Sequence, residues 1–272
     1  MTSSIHVIDF SPKTLLPYID WAHFLFSWGV KGINSNHKEA EQLKVEALRL
    51  LRFLDETNCK AKAKVMVVHA VAHEDDIIVT HNRTQIVIPC LRQQKLDKGC
   101  NTYKCLADYI APNDINHPVG NRLGVFATTF VADVDIPKTD SYSQMLLQTL
   151  SDRLAEAAAE ATHLFALQHI WGMELNESPC GIRPAVGYPS LPDMSLNFVL
   201  NQLLDFNAIN ISLTPSGMMD PHASVSGLIF AHPRSAYFNV GQISVGQLAD
   251  YAMRREISVE EMKKFICNIG EK

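Results

Sequence analysis

One loop of the sequence brings together residues that could bind a small ligand. Residues 180–190 (CGIRPAVGYPS) include one arginine, two prolines, two glycines and one tyrosine. Proline fixes φ, and Gly187 would allow the backbone to approach a ligand closely. The planar guanidinium of Arg183 suits a carboxylate or phosphate, and Tyr188 offers an apolar ring with a polar tip. A rigid surface turn with Arg183 in an ordinary ion pair explains the same residues, so the loop alone leaves both interpretations open.

Two histidine patterns have the residue types of metal ligands. His69-x-x-x-His73 has ligand spacing for a helix, but its segment predicts a strand, where residues four apart are separated by about 13 Å, too far for one ion. Glu160-x-x-His163 resembles one half of a di-iron motif, but a second Glu-x-x-His is missing from the sequence. We therefore predict no metal site, and we expect Glu160 and His163 to be solvated positions on a long helix.

The sequence lacks the common motifs of catalytic sites. It contains no G-x-S-x-G elbow, no P-loop and no C-x-x-C pair, and the Gly-x-x-x-Gly patterns do not follow a strand as a dinucleotide fingerprint requires. None of the six cysteines lies in a recognisable catalytic context. Motif reasoning therefore identifies no acid, base or nucleophile.

Composition limits the class of protein. The chain has 272 residues, of which 47% are hydrophobic and 19% charged, as in globular proteins. A net charge of −5 without a basic run argues against nucleic acid as the main partner. The sequence shows no secretory signal, no membrane-spanning run and no paired cysteine framework. We therefore predict a cytoplasmic protein with reduced thiols and no membrane partner.

The spacing of apolar residues predicts helices and strands that do not alternate regularly. Helical periodicity covers 38–56, 143–168, 195–205 and 245–266, the last interrupted near 256–257, where Ser258-x-x-Glu261 indicates a new helix start. Short β-branched runs predict strands at 63–72, 76–80, 85–91, 122–131, 224–231 and 237–245. Because a helix does not follow each strand, we predict an α+β fold rather than a doubly wound sheet. No linker is evident, so residues 1–272 are predicted to form a single domain.

The loop at residues 180–190 resembles a known signature. Residues 181–189 (GIRPAVGYP) are similar to the S-adenosylmethionine-binding motif in the reactivation domain of cobalamin-dependent methionine synthase. Further segments resemble this family in the same order: YIDW at 18–21, LRQQ at 91–94, CLADYIAP at 105–112, DRLAEA at 152–157, WG at 171–172, ASVSG at 223–227, HP at 232–233, Tyr237, and DYA at 250–252. Several ordered motifs are more specific than one loop.

The chain also departs from the family pattern. His23 stands where the family tends to have proline, and Phe238 takes the second place of what is often a Tyr-Tyr pair. The connection from Trp171 to Gly181 is short, and a Pro-Ala-Asn type of element is missing before Asp75. No Asp-x-His-x-x-Gly motif, which would ligate cobalamin, occurs. We therefore expect a free-standing reactivation domain or a subcloned piece, not a complete methionine synthase.

The resemblance implies a fold and a function. The fold would be a C-shaped domain with a twisted, mixed but mainly antiparallel sheet and long flanking helices. The chain would bind S-adenosylmethionine and support reductive methylation of inactive cob(II)alamin to methylcobalamin on a partner methionine synthase, with a flavodoxin-like electron donor. Methionine synthesis from homocysteine and methyltetrahydrofolate would then resume. Two alternatives stay open: a non-catalytic interaction protein of the same fold, and a reactivator of another corrinoid protein.

The resemblance also implies which residues bind the ligand. They are Asp20, Glu156, Arg183, Ala185, Gly187, Tyr188, Tyr237 and Phe238. Arg183 suits the ligand's carboxylate, Asp20 and Glu156 suit its ammonium or ribose hydroxyls, and backbone near Ala185 and Gly187 suits adenine. None acts as an acid or base, because a methyl displacement needs only positioning and charge. Tyr188 would lie nearest the methyl acceptor.

Overall fold

A six-stranded antiparallel sheet organises the fold. The computed structural model describes residues 4–30, 37–110, 121–134, 140–174, 181–266 and 269–270, so residues 111–112 of the CLADYIAP segment and position 180 of the loop lie outside it. The strands are β1 (Ile5–Phe10), β2 (Ala61–His73), β3 (Asp76–His81), β4 (Thr84–Pro89), β5 (Arg122–Phe130) and β8 (Ser224–Ile229), with a separate two-stranded ribbon of β6 (Ser212–Leu213) and β7 (Met219–Asp220).

The long strand β2 holds the sheet together. One edge pairs with β5 over residues 61–69, while the opposite edge pairs first with β1 and then with β3, giving the order β4-β3-β2-β5-β8 with β1 beside β2. All pairings between the described strands are antiparallel, so the predicted mainly antiparallel sheet is confirmed. Among the described residues, a parallel contact occurs at the isolated bridge between Ile243 and Ile269.

Helices cover both faces of this sheet. They are α1 (Pro12–Leu15), α2 (Trp21–Ser27), α3 (His37–Glu56), α4 (Ser141–Phe165), α5 (Leu196–Leu204), α6 (Val245–Arg254) and α7 (Val259–Met262). Short 3-10 turns lie at Leu16–Tyr18, Leu106–Tyr109 and Phe206–Ile209, and a π-helical turn at Ala166–Ile170 continues α4. On one face, Met66 and Val68 of β2 pack with α5 and α6. On the other face, Val65 and Val67 pack against α4, so β2 is apolar at consecutive positions because both its faces are covered.

The helix α4 lies close to the sheet because its inner face is made of alanine. Ala155 and Ala159 are completely buried against the strands. The hydroxyl of Thr128 in β5 donates to the carbonyl of Ala155 at 3.0 Å. The small alanine side chains therefore allow the helix to approach the strands closely. This close approach matters for the site, because the polar residues of α4 then project beside the strand edge.

The α+β prediction and most elements are confirmed, with two differences. No element was predicted for β1, α1 and α2 near the N-terminus, or for the ribbon of β6 and β7. The predicted strand at 237–245 is wrong: this segment has no ladder, and its backbone instead bonds to other parts of the chain. Phe238 N–H donates to Ser190 Oγ at 3.2 Å, and the carbonyl of Asn239 accepts from Gln93 Nε2 at 3.0 Å.

Several of the family-like motifs anchor loops. Arg92 bridges Asp75 at 2.6 Å and Asp108 at 2.8 Å, joining the LRQQ and CLAD segments. The buried Tyr251 of the DYA segment donates to Asp193, which has no exposed side-chain surface, at 2.9 Å. Asp193 lies just beyond the 181–190 loop and also accepts from Ser195 N–H at 2.8 Å. These contacts hold the end of that loop against the core.

Candidate functional site

The arginine-containing loop lies along the outer edge of β8. Ile182 and Phe230 exchange backbone hydrogen bonds of 3.0 and 2.9 Å, and Leu228 N–H donates to Pro184 O at 3.0 Å. Gly227 permits this contact, because a Cβ there would lie 2.3 Å from Pro184 O. The loop is therefore attached to the sheet as an irregular strand, and the side chains of Arg183 and Tyr188 reach the neighbouring helix α4.

Gly187 has a local role in the turn of the loop, and its assignment to the ligand stays a prediction. Its φ is +87°, a conformation that side chains disfavour, and a Cβ there would lie 2.7 Å from Met194 Sδ. Its N–H donates to Leu191 O at 2.8 Å, which closes the turn that presents Tyr188. The glycine thus makes room for Met194 and the turn, and it lies outside the set of described residues that line the cavity.

A half-open cavity of about 460 Å³ separates the loop from α4 and from residues 237–239. Its described lining residues are Glu156, Arg183, Pro184, Ala185, Tyr188, Pro189, Ser190, Tyr237, Phe238 and Asn239. Six of the eight predicted site residues are therefore brought together around one space. Four lining residues were not predicted, namely Ser190, Pro184, Pro189 and Asn239. Each lies within two residues of a predicted one in the sequence, and this closeness was the available signal.

Arg183 is held by two carboxylates of the helix α4. Its Nε donates to Glu160 Oε2 at 2.7 Å, and its Nη1 lies 3.5 Å from Glu156 Oε2. The side chain of Arg183 is only 17% exposed. Burial works to lower the pKa of Arg183, but the hydrogen bond that Arg183 donates to Glu160 and the charge of Glu156 outweigh it, so the pKa is raised. The guanidinium therefore stays charged beside the cavity.

Two tyrosines complete the rim of the cavity. The hydroxyl of Tyr188 donates to Glu156 Oε1, and the hydroxyl of Tyr237 accepts from Arg183 N–H at 3.0 Å. Partial burial raises the pKa of both phenols, and at Tyr188 the charge of Glu156 adds to this effect. Both tyrosines are therefore neutral, and each ring presents a large apolar surface that remains exposed.

The Glu156–Tyr188 pair also borders a second cavity of about 270 Å³. Asp152, Arg153 and His222 are among the residues that line it. Asp152 lies 3.3 Å from His222 Nε2, and burial raises the pKa of its carboxyl group. Glu156 can therefore be approached from either side of the pair that it makes with Tyr188.

Asp20 lies elsewhere in the described structure. Its exposed carboxylate accepts from His23 N–H at 2.9 Å and caps the start of α2. It is not one of the described residues that line the cavity. The structure thus gives Asp20 a local role at the start of a helix, and its assignment to the ligand stays a prediction.

The prediction that Glu160 and His163 are solvated is wrong. Glu160 forms the ion pair with Arg183. His163 is 4% exposed, and burial lowers its pKa to about 4, with the nearby positive charge of Arg183 acting in the same direction. Helical periodicity places both residues on one face, but it does not show that the 181–190 loop covers that face.

The histidines considered for metal binding lie on a strand. His69 and His73 of β2 pair with Thr80 and Asp76 of β3, as the strand prediction requires. Within the described ranges, no group of three or more histidine, cysteine or acidic side chains could hold a metal ion. No helix in those ranges has the length and apolar character needed to cross a bilayer.

The fold and the cavity define a class of protein. A concave space with mainly apolar walls and a few converging polar groups is characteristic of small-ligand sites. Here the space lies between a sheet-edge loop and a long helix of an α+β fold. The converging groups are one guanidinium, one carboxylate and two phenols, which suits a ligand with charged and flat apolar parts.

Comparison with known proteins identifies the family. A model of the family described as "Vitamin B12 dependent methionine synthase, activation domain" matches residues 12–256. Among solved structures, the MetH reactivation domain bound to AdoHcy is 33% identical, with a TM-score of 0.86 over 99% of this chain and 91% of that one. The chain belongs to the family of vitamin B12-dependent methionine synthase activation domains. The resemblance that was inferred from the sequence motifs is confirmed.

Proposed function

We propose that this chain binds S-adenosylmethionine in the 460 Å³ cavity and supports reductive methylation of cob(II)alamin to methylcobalamin on a partner methionine synthase. Methionine synthesis from homocysteine and methyltetrahydrofolate is thereby restored. The observation that carries the proposal is the Arg183–Glu156–Tyr188 arrangement at the cavity, in a chain whose structural relative binds AdoHcy. AdoHcy is the demethylated form of the proposed methyl donor.

The lining residues fit the parts of this ligand. The carboxylate of its amino acid part suits the guanidinium of Arg183, and the ammonium or the ribose hydroxyls suit Glu156. Pro184, Ala185 and Phe238 supply apolar surface for a flat base. The neutral phenols add hydrogen-bonding tips without adding charge.

The reaction requires no acid or base from the protein. Bound S-adenosylmethionine supplies a methyl group on a positively charged sulfur, and its displacement needs no proton transfer. The chain's residues therefore orient the ligand and balance its charges. Tyr188, which is 49% exposed at the rim, would lie nearest the acceptor.

Cobalamin is proposed to come on a partner chain, because the sequence has no Asp-x-His-x-x-Gly motif to ligate it. The partner would be a cobalamin-binding methionine synthase chain, and the electron would come from a flavodoxin-like donor. We propose the cytoplasm as the place where these proteins meet. Acting in trans, the chain would serve as the reactivation component of a methyltransferase.

The experiment mixes this chain with a partner that carries cob(II)alamin, a reductant and S-adenosylmethionine, and it follows methylcobalamin by absorbance. We expect methylcobalamin to form only when the chain is present, and Tyr188→Ala with Glu156→Ala to slow its formation. The same rate without the chain rejects the reactivation role. If the chain binds S-adenosylmethionine but forms no methylcobalamin on this partner, the result favours a reactivator of another corrinoid protein. If it does not bind S-adenosylmethionine, the result favours a non-catalytic interaction protein.

A further inference from the structure

Glu160 makes the shorter of the two contacts that hold Arg183. Its Oε2 lies 2.7 Å from Arg183 Nε, whereas Glu156 Oε2 lies 3.5 Å from Arg183 Nη1. The two glutamates are four residues apart on α4 and so share one face. Glu160 therefore holds the inner nitrogen of the guanidinium, and Glu156 makes a looser contact with an outer one.

We propose that Glu160 is a positioning residue that fixes Arg183 through Nε, so that the outer nitrogens can receive the carboxylate of the ligand while Glu156 gives up its contact. This inference rests on the proposed function, because it assigns the carboxylate of S-adenosylmethionine to Arg183. Glu160 itself is not one of the described residues that line the cavity. It therefore acts on the ligand through Arg183.

The distribution of charge supports this division of roles. Arg183 is one cation between two carboxylates, and neutral His163, one turn beyond Glu160, adds no charge. Glu160 can neutralise Arg183 alone, and this leaves the charge of Glu156 for a positive group of the ligand. Arg153 and the Asp152–His222 pair face the other side of Glu156.

The alternative partner of Glu156 is already in place. Its Oε1 accepts from the Tyr188 hydroxyl, so releasing Arg183 does not leave the carboxylate without a hydrogen bond. Glu160 accepts its hydrogen bond from Arg183 Nε, the inner nitrogen of the guanidinium, and this contact does not involve the two outer nitrogens. The exchange of partners on ligand binding therefore affects the weaker contact and preserves the stronger one.

The test uses two ligands that differ in one group. S-adenosylmethionine and decarboxylated S-adenosylmethionine share the nucleoside, the sulfonium and the ammonium, but only the first has a carboxylate. In calorimetric titrations, Glu160→Gln should raise the Kd for S-adenosylmethionine about tenfold relative to the wild-type chain, as expected for the loss of a charge-assisted contact. Its effect on the decarboxylated ligand should stay within about twofold.

A double variant separates positioning from a general structural effect. Once Arg183 is alanine, adding Glu160→Gln should change S-adenosylmethionine affinity by less than about twofold, because the residue through which Glu160 acts is gone. Glu46→Gln is the matched control, since Glu46 accepts from a tyrosine hydroxyl on α4, that of Tyr142, away from the cavity. We expect it to bind both ligands as the wild type does. If Glu160→Gln does not fold, Glu160→Asp should show a smaller loss that is again confined to S-adenosylmethionine.

Failure of the inference and failure of the proposed function give different results. Wild-type protein that binds neither ligand overturns the proposed function and the inference with it. Suppose that the wild-type protein binds S-adenosylmethionine, but that Glu160→Gln weakens the binding of both ligands equally or of neither. This result overturns only the role of Glu160. An undiminished effect of Glu160→Gln in the Arg183→Ala background has the same consequence.

Discussion

Replacing Arg183 by alanine should weaken S-adenosylmethionine binding more than any other single change in the cavity. Arg183 is the only cation among the described lining residues, and its side chain is 17% exposed, so water replaces its charge poorly. A charge-assisted hydrogen bond of this kind contributes about 1.5–3 kcal/mol. A loss of about 2 kcal/mol corresponds to roughly a thirtyfold rise in Kd.

The charge left behind acts in the same direction. Without Arg183, the carboxylate of Glu156, which lines the cavity, lies unneutralised near the place where the ligand's carboxylate would bind. Arg183→Lys should recover only part of the affinity, because an ammonium cannot reach two carboxylates and the ligand with the geometry of a guanidinium. Isothermal titration calorimetry of the wild-type and variant proteins measures these differences directly.

The control is another arginine held between two carboxylates. Arg254 pairs with Asp76 and with Asp250, and it lies outside the cavity. Arg254→Ala should lower thermal stability without changing the affinity for S-adenosylmethionine. Equal affinities of wild-type, Arg183→Ala and Arg183→Lys proteins would refute the reasoning and would make Arg183 a structural residue.

Three further predictions follow from burial and packing. Burial holds the pKa of His163 at about 4 in the folded chain against 6.5 in the unfolded chain, so the unfolded chain binds the proton more readily and stability should fall as the pH drops from 6.5 to 4. His163→Phe should make the melting temperature less dependent on pH between these values. An unchanged dependence of the melting temperature on pH would contradict this prediction. Gly227→Ala should lower the free energy of unfolding by about 3 kcal/mol in denaturant titrations and weaken ligand binding, because the new Cβ would lie 2.3 Å from Pro184 O. As the control, Gly246→Ala should be neutral or slightly stabilising, because its Cβ would meet no atom within 4 Å. Equal effects of the two substitutions would be evidence against the steric clash at Gly227. If residues 1–272 form a single domain, calorimetry and far-UV circular dichroism should report one coincident unfolding transition, and two separate transitions would argue for two domains.

The sequence by itself determined most of the elements. Helical periodicity and the absence of glycine and proline were enough to predict α3 and α4, and the interruption between α6 and α7 followed from the serine that caps α7. The β-branched runs predicted β2 to β5 and β8. These predictions succeed because local backbone preferences and the burial of one face act over a few neighbouring residues. Ordered motifs identified the family for the same reason, since each motif is a short contiguous segment.

Only the tertiary structure decided which residues meet at the site. The segment at 237–245 alternates like a strand, but its backbone bonds to Ser190 and Gln93, both distant in sequence, and not to a neighbouring strand. Glu160 was predicted to face solvent, yet Arg183, 23 residues later in the chain, lies against it. Periodicity specifies the face of a helix on which a residue lies. What covers that face depends on contacts between segments far apart in the chain, and those contacts form only when the whole chain packs.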